Sequence, residues 1–207
     1  MAEIEIAPLT RGDLPRVAEI HAQAFATSAI TGFGPGAVTR YYAWLLEGPH
    51  DAALVGAWNH GQLVGFCAAG VFRGAMNGFL RANRRYLAMQ VLRHPGLLAS
   101  PLIRDRLRQA VSITLRFSRL AQRTSKPAGA PQFGVLSIAT SPAAEGTGVG
   151  RALMQEAEDR ARSRGHARIV LTVHPENVRA VRFYERQGWQ RTDASGSWNG
   201  AMHKLLT

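Results

Sequence analysis

The stretch SPAAEGTGVGRAL, Ser141 to Leu153, joins a run of strand character to a run of helix character. Before it, FGVLSIAT (133–140) is apolar and partly β-branched; after it, VGRALMQEAEDRARSRG (149–165) sets apolar residues at helical spacing and closes on Gly165. A strand, a glycine turn and a helix in succession form an anion site, because the first helical N–H groups have no intrahelical acceptor and the helix dipole adds partial positive charge. Gly146, Gly148 and Gly150 lack a Cβ, so backbone amides can come close to a phosphate, and Arg151 adds a fixed positive charge. No Gly-Lys-Ser/Thr follows, so the turn is not a Walker A loop, and it does not open the chain's first strand–helix unit as a dinucleotide fingerprint should. Taken alone, the turn also suits a tight strand-to-helix connection. Glu145 is the odd residue. A carboxylate at the mouth of an anion site repels the ligand unless its side chain turns outward or is engaged by a neighbour.

Working outward, the chain alternates strand and helix patterns. IEIAPLT (4–10) reads as a strand, RGDLPRVAEIHAQAF (11–25) as a helix with Pro15 in its first turn, and TGFGPG (31–36) as a loop. AVTRYYAWLLE (37–47) is helix-like, and AALVGAWNHGQLVGFCAAGVF (52–72) reads as two strands around a His60-Gly61 turn. Beyond the glycine turn come a strand at 167–173, a helix capped by Asn177 and closed by Gly188, and a tail of two strands.

From Phe133 onward the chain resembles the GNAT N-acetyltransferase superfamily. The resemblance rests on Glu145-Gly146-Thr147-Gly148-Val149-Gly150, in the register of the family's Arg/Gln-x-x-Gly-x-Gly/Ala motif. It rests equally on LTVHPENVRAVRFYERQGW (171–189), with Asn177, Ala180, Phe183-Tyr184-Glu185 and Gly188-Trp189. The likeness covers roughly residues 4–72 and 132–207. It implies an α/β (α+β) fold, a mixed and mostly antiparallel sheet with helices on both faces. It implies acetyl-CoA or another acyl-CoA as acyl donor. The turn Gly146, Thr147, Gly148, Val149, Gly150, Arg151 would hold the pyrophosphate, Ile138, Ala139 and Thr140 would pair with the pantetheine arm, and Asn177 would contact the CoA. Glu145 departs from the family pattern, which places Arg or Gln there.

Acyl transfer to an amine needs a neutral amine, a stabilised oxyanion and a protonated leaving thiolate. The resemblance makes Tyr184 the acid. Some members carry a glutamate base twelve residues before the tyrosine; here that position is Thr172, which is no base at neutral pH. His174, two residues on and so on the same side of that strand, is the side-chain alternative to water. His21 and His203 have no supporting pattern. The single cysteine, Cys67, excludes internal disulfides and reads as a buried strand residue, and no cluster has metal-ligand spacing.

The net charge of +11 is concentrated: Arg73 to Lys126 holds 12 basic residues and one acid, Asp105, and the rest of the chain balances. We therefore expect one domain over 1–207, with a basic, helical insertion at 73–131 where most family members have a short hairpin. Its amphipathic pattern suits packed helices with a solvated arginine face, a lid over an acidic acceptor, or docking on an anionic membrane. No nucleic-acid-reading motif is present, and a homodimer is left open. No apolar run reaches about 18 residues, and MAEIEIAPLT is not a signal peptide, so the expectation is a cytoplasmic protein. The expected activity is acetyl transfer to a primary amine of a small molecule, with an amino sugar as the candidate class. The rivals are a protein N-terminal or lysine acetyltransferase and a silent acyl-CoA-binding or membrane-surface module.

Overall fold

Alternation in the first half of the chain becomes three antiparallel strands. The computed structural model describes residues 4–72, 74–93, 132–192 and 198–206. Strand β1 (Ile4–Pro8) pairs with β2 (Asp51–Asn59), which turns at His60-Gly61 into β3 (Gln62–Val71). The turn takes His60 to φ 48° and Gly61 to φ 74°, the left-handed geometry of a two-residue hairpin. Helices α1 (Leu14–Ala24), α2 (Ala29–Gly32) and α3 (Pro35–Glu47) lie between β1 and β2 in sequence. The segment 31–36 is thus less irregular than its composition implies: Ser28 caps α2, and Gly34, at φ 87°, lets α3 start at Pro35.

After β3 the chain enters α4 (Ala75–Ala82) and α5 (Arg84–Arg93). It returns through β4 (Phe133–Thr140), α6 (Val149–Ser163), β5 (Arg168–Thr172), α7 (Val178–Glu185), β6 (Gln190–Arg191) and β7 (Ala201–Leu205). The seven strands form one sheet in the order β1-β2-β3-β4-β5-β7-β6. Only β4 and β5 run parallel, so the mixed, mostly antiparallel sheet expected from sequence is the one observed.

The sheet separates two cores. On one face Phe133, Val149, Leu153, Ile169, Val181 and Trp189 pack under α6 and α7; on the other Leu14, Ile20, Tyr42, Leu45 and Phe66 pack under α1 and α3. Across the first core, Lys204 of β7 donates to both oxygens of Glu158 of α6 at 2.8 and 2.7 Å, and only 2% of the Glu158 side chain is exposed.

Two irregularities in β4 shape the surface beside the glycine turn. First, β4 pairs with β5 only over Phe133, Gly134 and Val135, so the strands separate after that point. Second, the β3 register steps from Ala69↔Val135 to Ala68↔Ser137, leaving Leu136 as an unpaired extra residue. This bulge inverts the alternation. Phe133, Val135 and Ile138 belong to the α6 face, whereas Ala139 packs on the α1/α3 face and Ser137 reaches Tyr42 there.

The described start of the basic insertion is docked on the body. Phe79 of α4 is fully buried, its ring edge-on to Tyr41 at 5.2 Å, and the Trp44 indole donates to the Ala75 carbonyl at 2.9 Å. Arg40 stacks over Tyr86 of α5 at 4.4 Å. The remaining insertion, 94–131, lies outside the described residues, as does Arg73. No helix among the described residues is long and apolar enough to cross a membrane.

Candidate active site

The glycine turn follows the end of β4 and leads into α6. Pro142–Ala144 forms a short 3-10 turn, and the Thr147 hydroxyl donates to the Ala144 carbonyl at 2.6 Å. Gly146 and Gly148 have φ of 77° and 92°, and a Cβ at either position would meet nothing within 4 Å, so backbone conformation, not crowding, demands glycine at both. The first hydrogen bond entering α6 runs from Ala152 N–H to the Gly148 carbonyl at 3.0 Å. The amides of Val149, Gly150 and Arg151 are therefore left without intrahelical acceptors, as the sequence implies. Gly150 is bare for another reason. A Cβ there would meet the Phe183 ring at 3.3 Å, so it lets α6 and α7 pack closely and is not primarily an opening for a ligand. Arg151 is exposed.

Glu145 is neither loose nor aimed into the turn alone. Arg179, in the first turn of α7, holds its carboxylate at 2.7 Å. That hydrogen bond, with the carboxylate charge behind it, raises the arginine pKa further above its usual value. The charge that looks hostile to an anion in the sequence is engaged by a cation from the second matching block. Asn177, two residues earlier, caps α7, its side-chain oxygen accepting from Ala180 N–H at 3.1 Å.

Tyr184 lies in the α6-face core with 9% exposure, its ring edge-on to Phe183 at 5.3 Å and 6.0 Å from Trp189. Burial, reinforced by the nearby Cys67, pushes its phenol up to about 12. It is therefore fully protonated at neutral pH and can act as a donor. Cys67 is fully buried on β3, and burial with the charge of Glu156 pushes its thiol up to about 12, so it is an inert core residue. His174 is placed differently from the strand position expected. β5 ends at Thr172, and His174 stands in the following turn, its side chain 73% exposed and its Nδ1 accepting from Glu176 N–H at 3.4 Å. Among the described residues, no group of three or more His, Cys, Asp or Glu side chains could hold a metal ion.

One cluster goes unread in the sequence. His21 is buried on α1, and its Nδ1 lies 2.8 Å from the Tyr42 hydroxyl of α3. Tyr42 lies 3.0 Å from the Ser137 hydroxyl on β4. In the other direction His21 Nε2 lies 3.3 Å from Ser28, which lies 2.8 Å from Thr31, whose hydroxyl donates to the Phe25 carbonyl at 2.9 Å. The sequence signal for it is weak: His21 continues the apolar stripe of Leu14 and Ala18, where a polar residue must find a partner inside.

A mixed sheet splayed at its one parallel pair, with a glycine turn following the splayed strand and a buried tyrosine on the helix beyond, is the architecture of the GNAT acyltransferases. Residues 114–189 match the model of the acetyltransferase (GNAT) family. Solved structures share the whole fold. The PaiA N-acetyltransferase of Thermoplasma acidophilum in complex with coenzyme A is 17% identical with a TM-score of 0.58, the match covering 98% of this chain and 99% of that one. The ribosomal-protein-alanine N-acetyltransferase of Brucella melitensis is 18% identical with a TM-score of 0.59, over the same shares of the two chains. An aminoglycoside N-acetyltransferase in complex with CoA is 12% identical with a TM-score of 0.59, covering 93% and 91%. A comparison with curated proteins finds no significant match.

Proposed function

We propose that this protein transfers an acetyl group from acetyl-CoA to a primary amine of a small molecule by direct attack. The observation that carries the reading is the turn from Gly146 to Arg151, with its two left-handed glycines and helix-start amides that have no intrahelical acceptor, on a strand, β4, whose pairing with β5 ends at Val135. A diphosphate suits those amides and the α6 N-terminus. Beyond Val135, Ile138 to Thr140 offer main-chain groups on the side β5 has left, suited to the amides of a pantetheine arm. Arg179 on Glu145 removes the main objection to an anion there, and so weighs against a silent module.

In this reading the acceptor nitrogen attacks the thioester carbonyl carbon, the carbon–sulfur bond breaks, and the electron pair leaves on sulfur. Tyr184 donates a hydrogen bond to that sulfur as charge develops. With its phenol near 12, complete proton transfer to an ordinary thiolate is uphill, so the stabilising contact is the hydrogen bond itself. The amine proton leaves through water, with exposed His174 as the side chain able to collect it. An amino sugar is the small-molecule class to try first, and a basic insertion favours one that also carries an acidic group such as a phosphate. A protein N-terminus or lysine is the rival acceptor, since a protein-alanine acetyltransferase matches this fold as well as an aminoglycoside enzyme does.

The test is calorimetry with acetyl-CoA, followed by CoA release from wild type and Tyr184→Phe. Micromolar binding to both, with turnover falling about 10²-fold in the variant, is the expected result. No binding by wild type would sink the reading. Binding with equal turnover in both would strip Tyr184 of its role.

A further inference from the structure

The chain Thr31–Ser28–His21–Tyr42–Ser137 has a direction, and hydrogen-atom counting fixes it. A backbone carbonyl can only accept, so the Thr31 hydroxyl spends its one hydrogen on Phe25. Ser28 must then donate to Thr31, and it accepts from Thr31 N–H at 3.2 Å. With its hydrogen used, Ser28 can only accept from His21, which places the imidazole hydrogen on Nε2. Burial holds His21 down to about 4, so the ring is neutral at neutral pH and its Nδ1 carries a bare lone pair. Tyr42 must donate to that lone pair, and its oxygen is then free to accept from Ser137. The Ser137 hydrogen is thereby turned inward, and its oxygen keeps lone pairs for a further donor.

Ser137 is the first residue after the bulge, on the stretch of β4 that has left β5, and it is only partly buried. It precedes Ile138, on which the proposed acyl donor would pair, and it faces the opposite layer from Tyr184. We propose that Ser137 is the residue that accepts an N–H of the acceptor amine. Tyr42 and His21 are positioning residues that keep its hydroxyl oxygen, not its hydrogen, turned to the substrate. This inference rests on the acetyl-transfer reading above. It deepens that reading by assigning a side chain to the acceptor: a hydroxyl polarised as an acceptor selects a nitrogen that still carries hydrogen, a primary or secondary amine, over a tertiary one. The arrangement requires no charged base at this position, consistent with the absence of a carboxylate at Thr172.

The test uses the full chain with three amines: an aminoglycoside, glucosamine 6-phosphate and a peptide beginning with alanine. Ser137→Ala should lower kcat/KM for the amine by roughly tenfold while leaving acetyl-CoA affinity unchanged, the size of one lost hydrogen bond to substrate. Ser137→Thr should restore most of it. Tyr42→Phe keeps the ring in the core but frees the serine hydrogen to rotate. It should cost about threefold alone and little more in combination with Ser137→Ala, because both changes act on one contact. A merely structural chain would instead lower the melting temperature in each variant and leave the acceptor kinetics where they were, and that outcome overturns the inference. Wild type that turns over while Ser137→Ala matches it sinks this inference alone. Wild type that binds acetyl-CoA yet releases CoA with none of the amines sinks the transfer reading, and this inference with it.

Discussion

The two ends of the β4 splay solve opposite problems with opposite materials. At the glycine turn, the proposed recognition would be left to the main chain: Gly146 and Gly148 carry no side chain, and the one that could interfere, Glu145, is held by Arg179. At Ser137 four side chains drawn from residues 21 to 42 set the direction of a single hydroxyl. The difference teaches which ligand each end can specialise for. Backbone amides bind any phosphate and resist change, because altering them means altering the fold. A side-chain chain can be re-tuned one residue at a time, which suits the partner that varies between related enzymes.

The largest expected effect tests whether the turn end is as local as it looks. Its helix α6 is tied to β7 by the buried Lys204–Glu158 pair. Lys204→Ala leaves a nearly buried carboxylate whose remaining cation among the described residues is Arg162, 3.7 Å away. We expect a loss of about 3 kcal/mol in chemical denaturation, with acetyl-CoA affinity under native conditions altered less than about threefold. A collapse of affinity would show that the turn depends on distant packing. The next effect sharpens the contrast, because the Ser137 end titrates. His21 has its folded pKa lowered from 6.5 to about 4, so the folded state binds fewer protons than the unfolded chain between those values. Its contribution to stability is fully present above pH 6.5 and is lost as pH falls from there through about 4. Melting curves over that window should drop by roughly 5 °C more for wild type than for His21→Gln. Equal slopes would mean that the histidine is not desolvated. The smallest effect returns to the turn. Arg179→Ala should weaken acetyl-CoA binding by about threefold at low salt and less at high salt, with Glu145→Gln restoring it in the same background. No change at any salt would show that Glu145 never felt the ligand.

Much of the turn end is legible in the residues alone. Strand, turn and helix are contiguous there, and glycine at a left-handed φ leaves a mark that residue type reveals. The mixed character of the sheet is equally readable once the two motif blocks fix the order of elements in the second half. What stays hidden is long-range. Arg179 lies 34 residues from Glu145, and nothing local says that they meet. His21, Tyr42 and Ser137 look like two core residues and a strand serine until the sheet brings their polar atoms into hydrogen-bonding range. His174 fails in the other direction: alternation places it on a strand face, but β5 stops two residues short, and the chain turns before the pattern can continue.

Leu136 gives β4 two reading phases, one before it and one after. Upstream, odd-numbered residues look toward α6; downstream, even-numbered ones do. Because Leu136 is the extra residue, deleting it would set Ser137 directly after Val135, opposite the neighbouring residues Ala68 and Ala69 of β3. Plain alternation would then carry Ile138 toward α6 and Ser137 toward Tyr42, the layers they already serve. What a deletion would remove is the bend and extra twist that a bulge puts into a strand. Leu136 is a spacer: it shifts the count along β4 by one and leaves the assignment of its neighbours to the two layers untouched.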